Sequence, residues 1–104
     1  GDDLDLGILK QAVNTTAKEI TVNVQMTNKP YVYLRGKPLT LGLTVTTVYY
    51  VWSDNGKTRS RVTLSELPSL VAAKTNVRVS INAREGPDNV FTARRVEVNK
   101  PRYR

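Results

Sequence analysis

Two aromatic residues and two arginines, Tyr50, Trp52, Arg59 and Arg61, stand on either side of the turn signal Asp54-Asn55-Gly56-Lys57. Asn and Gly accept the positive φ of a two-residue type I′ turn. Folding the chain about Asn55-Gly56 sets Trp52 opposite Arg59 and Tyr50 opposite Arg61. All four side chains then share one face of a hairpin. Opposed side chains in a ladder sit ~5 Å apart at Cβ. A guanidinium over an aromatic ring contributes ~0.5–2 kcal/mol. Such an array can stack a nucleobase or sugar on its rings and engage a phosphate or carboxylate with its guanidinium groups. The pattern also suits two plainer roles. The aromatics can cover a small core with the arginines over their edges, or a solvated ribbon can satisfy itself by cation–π contacts. Arg78, Arg84, Arg94 and Arg95 lie on neighbouring strands and extend the positive field.

The charge balance favours a binding surface over a reaction centre. The 104 residues carry 16 Lys and Arg against 9 Asp and Glu, a net charge of +7. Residues 1–34 hold four acids and three bases, so the basic character belongs to the remainder of the chain. There is no Cys and no His. That excludes disulfides, zinc-finger spacings, thiol nucleophiles, Ser-His-Asp triads and histidine-ligated metals. No phosphate-binding loop is present, and the carboxylates Glu19, Glu66, Glu85, Asp88 and Glu97 are scattered. Asp2, Asp3 and Asp5 lack the loop glycine and distal Glu of a calcium loop and read as a solvated terminus. The letters Ser53-Asp54-Asn55-Gly56 also occur near an integrase catalytic Asp, but turn chemistry accounts for each of them. The chain is therefore expected to be no enzyme and to need no cofactor. Its apolar runs are far short of the ~20 residues of a membrane helix, so membrane insertion is not expected.

The elements that must carry these residues are strands, because the dominant hydrophobic period is two. Ile20, Val22, Val24 and Met26 alternate with polar residues, as do Val77, Val79, Ile81 and Ala83. Lys57 to Leu64 places Val62 and Leu64 inward. Tyr31 to Arg35 reads as a short aromatic strand, with Tyr31 and Tyr33 on one face. Clean alternation predicts antiparallel strands with one wet face. Two strands break phase. Leu41, Leu43 and Val45 give way to Val48, Tyr50 and Trp52, and Phe91 and Ala93 give way to Val96 and Val98. Each slip predicts a β-bulge or a change of partner. Glu66 to Lys74 lacks alternation and reads as a connection with one helical turn. Residues 4–13 suit a first strand or a short helix.

These features predict a single all-β antiparallel domain over residues 1–104, with a leading segment 1–18 and a basic tail 101–104. Five to seven strands at this length make a small β-sandwich or a β-barrel. The stretch Ile20 to Asn28 resembles the second strand of immunoglobulin-like adhesion modules of the CARDB type. Val62 to Ile81 resembles their strand, L-x-x-L connection and following strand. That resemblance implies a non-catalytic immunoglobulin-like sandwich in a surface or secreted assembly. The rival is a basic OB-type five-stranded barrel, to which the last strand and the central hairpin are similar in flavour. The expected function is a binding or assembly module of an envelope, secreted or virion protein, with an extracytoplasmic or virion setting. Its expected partner is a protein or an anionic polymer held on the basic, aromatic face. The alternative is a small single-stranded nucleic-acid-binding protein.

Overall fold

The computed structural model describes residues 3–73 and 77–101, with side chains from residue 12 onward. Among these residues six strands form: β1 (Asp3–Asn14), β2 (Glu19–Met26), β3 (Pro38–Trp52), β4 (Arg59–Val62), β5 (Val79–Glu85) and β6 (Phe91–Val98). One short helix, α1 (Leu67–Ala72), lies between β4 and β5. Neighbours in the sheet run β2-β1-β5-β6-β3-β4, and β2 also pairs with β3. The pairing closes β1, β2, β3, β6 and β5 into a five-stranded ring, with β4 continuing outward along β3. This is the OB-type barrel, not the immunoglobulin-like sandwich. Two separate sheets are excluded because the β2–β3 pairing joins the β2 end of the strand order back to β3 and closes the ring. The all-β class holds, but β3 and β6 run parallel to one another.

The long strand β3 makes this topology possible. Its first half pairs with β2 through Pro38 to Gly42. Its second half pairs with β4 from Tyr49 to Trp52, along the same edge that β2 has left. Between the halves the register with β6 jumps from Leu43↔Ala93 to Val48↔Arg95. The phase break expected near Thr46-Thr47 is therefore real. Its consequence differs from the expectation, because Thr47 and Tyr49 are buried while Val45 is fully exposed. Buried Thr47 is tolerated because its hydroxyl donates to the Ala93 carbonyl at 2.7 Å. The second expected break is also present. Arg95 pairs with Asn82 and Ala93 with Ala83, so Arg94 bulges out of the ladder.

The interior follows the period-two pattern. Ile20, Val22, Val24, Val77, Val79, Ile81 and Ala83 are buried, as predicted, with Leu41, Leu43, Phe91, Val96 and Val98. Met26 departs from its strand's phase and is 60% exposed at the end of β2. Val62 and Leu64 are half-buried, because β4 and the turn after it lie outside the closed ring. The expected strand at Tyr31 to Arg35 is instead a 3-10 helix, Lys29–Leu34. Pro30 fixes its start, and Tyr31 and Leu34, one turn apart, close the barrel end while Tyr33 points to solvent. Residues 4–13 resolve as strand, within β1.

The central hairpin pairs as its turn signal predicts: Trp52 with Arg59, Val51 with Ser60, Tyr50 with Arg61. The turn itself is longer than a type I′ turn. The Gly56 N–H donates to the Ser53 carbonyl at 2.9 Å, and the Ser53 N–H to the Thr58 carbonyl at 2.9 Å. Gly56 takes φ +71, and a Cβ there would lie 3.1 Å from Cβ of Pro101. Gly56→Val is therefore expected to destabilise by at least about 1 kcal/mol in urea denaturation. Val79→Ala should cost on the order of 1–3 kcal/mol. Val62→Ala, outside the ring, should cost less than half as much. Equal costs at Val79 and Val62 would contradict the barrel.

Candidate functional site

On β3 the residues alternate between the barrel interior and its outer face. Tyr49 is buried inside, so Tyr50 and Trp52 lie outside. Parallel pairing sets Tyr50 beside Glu97 of β6, and antiparallel pairing sets Glu97 beside Ser80 of β5. Arg61, Tyr50, Glu97 and Ser80 thus form one row across four strands. Glu97 is 3% exposed although it is on the outer face. A buried carboxylate needs partners to hold its charge. Trp52 Nε1 donates to Oε2 at 2.8 Å, and Arg59 Nη1 to the same oxygen at 2.9 Å. Arg95 Nε donates to Oε1 at 2.9 Å, and Lys100 Nζ lies 3.7 Å from it. Arg59 also lies over the Tyr50 ring, with Cζ 3.9 Å from the centroid. Arg61 reaches the same ring at 5.8 Å.

The structure brings together five of the eight residues singled out in the sequence: Tyr50, Trp52, Arg59, Arg61 and Arg95. Their organiser, Glu97, was not among them. The other three lie elsewhere. Arg78 precedes β5 and donates from Nη1 to the Lys100 carbonyl at 3.2 Å. Arg84 is exposed near the opposite end of β5, six residues away, which is roughly 20 Å of strand. Arg94 is exposed at the β6 bulge. A further feature adjoins the cluster. A pocket of about 250 Å³ opens between the Trp52 end of the barrel and α1. Val51, Trp52, Leu70, Ala73, Val77 and Val98 give it an apolar lining, with Asp54, Arg78 and Asn99 also at its wall. Sequence patterning does not show it, because the lining comes from four separate segments.

No family model matches the chain, and no curated protein matches it significantly. Solved structures do. A crystal structure of silver(I)-bound CusF superposes with TM-score 0.59 at 13% identity, covering 94% of this chain and 99% of that one. Silver-bound CusF from Escherichia coli gives 0.60 at 12%, covering 93% and 91%. A tryptophan-to-alanine variant of the same protein with Cu(II) gives 0.58 at 14%, covering 92% and 90%. The likeness establishes the fold as an OB-like barrel and removes the immunoglobulin-like resemblance.

It also corrects the expected function and partners. The similar structures carry metal ions, and they offer no support for an anionic polymer or single-stranded nucleic acid as partner. The geometry agrees, since Arg59, Arg95 and Lys100 already face a carboxylate of their own chain. The donor set of this chain does not fit the ions of its neighbours either. Silver is a soft ion that favours sulfur ligands, and Cu(II) takes a converging tetragonal set of nitrogen and oxygen donors. This sequence has no Cys, no His and one Met. Met26 adjoins a cleft lined by Asn23, Val24, Gln25 and Gly36, which contains no second sulfur. No group of three or more His, Cys, Asp or Glu converges among the described residues. Silver titrated calorimetrically at pH 7 should therefore bind no tighter than to a peptide with one methionine. A tight one-to-one site would refute this reading of the donors.

The Glu97 cluster has a pH signature. Burial pushes the carboxyl upward. The Trp52 and Arg59 hydrogen bonds and the charges of Lys100 and Arg95 outweigh it, so the group lies below its ordinary value of 4.5. The stabilisation is thus fully present above about 4.5 and is lost as pH falls through the lowered folded value. Glu97→Gln should cost on the order of 1–3 kcal/mol at pH 7. The gap between wild type and variant should narrow steadily under acid, read by urea denaturation from pH 7 to pH 3. A gap independent of pH would show that charge on Glu97 contributes nothing.

Proposed function

We propose that this chain is a non-catalytic binding module whose working end is the Trp52 end of the barrel. The observation that carries the reading is an apolar pocket lined by Val51, Leu70, Ala73, Val77 and Val98, at whose edge stands a tryptophan with its indole tied to a buried carboxylate. Binding sites are concave and mostly apolar, with few polar groups, and they occur in the mouths of β-barrels. The β3–β4 ribbon, the Asn99 turn and α1 frame this one. Within the proposal, Tyr50, Arg59, Arg61 and Arg95 are the frame that fixes Trp52. Arg78 belongs to the pocket wall, and Arg84 and Arg94 have no part in it.

Acid–base work at this end is poorly served. Glu97 is held ionised by its partners, and a general acid or base is most effective when its pKa lies near the working pH. Binding of silver, the ion in two of the CusF structures, lacks the soft donors noted above. No helix among the described residues is long and apolar enough to cross a membrane. An extracytoplasmic setting belongs to the same proposal.

The test is a titration of the ¹⁵N-labelled chain with a panel of neutral, cationic and anionic small aromatic and aliphatic fragments. The single tryptophan gives one indole N–H resonance, which reports on this end directly. Shifts should gather at Trp52, Val77, Val98 and Asn99. Shifts confined to the β1–β2 side of the barrel, or none with any fragment, would overturn the proposal.

A further inference from the structure

The chemistry of the pocket narrows its ligand, on the reading that the Trp52 end is the working end. We infer that it takes a small uncharged molecule with an apolar body of one or two rings, and that Glu97 is the positioning residue that sets the Trp52 wall.

The volume sets the size. An apolar protein cavity of about 150 Å³ holds benzene, so about 250 Å³ accommodates a somewhat larger body. The lining sets the polarity. Val51, Leu70, Ala73, Val77 and Val98 offer no hydrogen bond from their side chains. The polar wall residues have partners within the protein. Asn99 Nδ2 donates to the Trp52 carbonyl at 3.2 Å and lies 3.3 Å from Oδ1 of Asp54. Arg78 donates to the Lys100 carbonyl. A charged ligand would shed its water here and meet Arg78 and Asp54 together, opposite charges on one wall, whereas a neutral ring loses little. The Asn99 turn that supplies two of these bonds is itself fixed. Asn99 has φ +62, and its N–H donates to the Arg78 carbonyl at 2.8 Å.

Trp52 connects the pocket to the ion cluster. Trp52 is one of the residues at the cavity wall, and its Nε1–H is committed to Glu97 Oε2. That bond fixes the tilt of the indole and leaves a ring face for offset or edge contact with a ligand ring. Arg59 bonds the same carboxylate oxygen and stacks on Tyr50, so the indole is held by a group that is itself held. A wall with a fixed rotamer loses less conformational entropy on binding than a mobile one.

The experiment compares 2-naphthol with 2-naphthoate, the same rings with and without a charge, on the intact chain at pH 7. The expected result is saturable naphthol binding with Kd near or below about 1 mM, shifting the Trp52 indole resonance, and naphthoate at least ten-fold weaker. Ala73→Phe, which fills the pocket from α1, should weaken naphthol at least ten-fold with the melting temperature unchanged. Glu97→Ala should move the indole resonance in the free protein and weaken naphthol several-fold. Glu97→Gln, which retains an acceptor for the indole, should recover part of both. Equal binding of the two probes would overturn the neutral-ligand assignment. Unchanged affinity in Ala73→Phe would overturn the pocket as the site. An unmoved indole resonance with full affinity in Glu97→Ala would overturn the positioning role. Failure of naphthol while other fragments perturb Trp52 would sink this inference and leave the working end standing. Silence of that end to every fragment would sink the broader proposal.

Discussion

The outer face of this barrel depends on a carboxylate that is almost wholly removed from water. Glu97 sits where β6 alternation turns a side chain outward, yet it is 3% exposed. Desolvation opposes its charge, and an unpartnered charge there would destabilise the fold by several kcal/mol. The surrounding positive groups are best understood as the answer to that constraint. Arg59 comes from β4, Arg95 from β6 and Lys100 from the segment after it, while Trp52 comes from β3. β4 has few other ties. It is four residues long, exposed for most of its length, and lies outside the closed ring. The Arg59–Glu97 bond reaches across β3 and fastens this outlying strand to the barrel.

Barrel closure and site geometry share one structural device, the irregular middle of β3. β2 begins at Glu19, opposite Gly42, so it covers only the first half of its edge of β3 and the second half is left to β4. The register of β3 with β6 shifts between these halves, from Leu43 to Val48. Thr47 stabilises the bend from inside, bonding the Ala93 carbonyl and accepting the Thr44 N–H at 2.8 Å. The second bulge, at Arg94, shifts the register of β5 with β6 so that Glu97 stands beside Ser80, while β3 sets Tyr50 on its other side. The two irregularities therefore decide which side chains meet on the outer face.

The parts of this architecture written in local pattern are legible in the sequence. Period two identifies β2, β5 and β6, and phase breaks mark both bulges. Turn chemistry sets the β3–β4 pairing to the residue, although the loop conformation differs. Legibility fails where a short pattern fits two structures. Tyr31 and Tyr33 alternate like a strand, but Tyr31 and Leu34 also share a face at helical spacing, and Pro30 favours that outcome. It fails again where pairing is long-range. Nothing local distinguishes Glu97 from Glu85 or Glu66. Its role appears only when β3 and β6 are set side by side in parallel. The barrel is closed by the contact of β2 with β3, and period-two alternation carries no record of it.

The likeness to CusF shows how far a barrel constrains chemistry. At 12–14% identity the strands superpose over more than nine-tenths of this chain. The fold requires alternation, a parallel β3–β6 pair and bulges in the right places, and many side-chain sets meet those demands. What the fold does not require is a donor set. Soft-metal binding asks for sulfur or imidazole groups that converge, and this sequence supplies one methionine. In place of such donors the outer face carries a closed set of charges, with one carboxylate facing three cations and an indole. A set that is nearly satisfied internally offers little to an ion or a polyanion, but it is rigid. Rigidity is what an apolar pocket needs from its wall, because burying a ring against a fixed surface requires no further ordering of the protein. The same cluster that removes the basic face from electrostatic recognition thereby makes the neighbouring tryptophan a fixed surface for contact recognition.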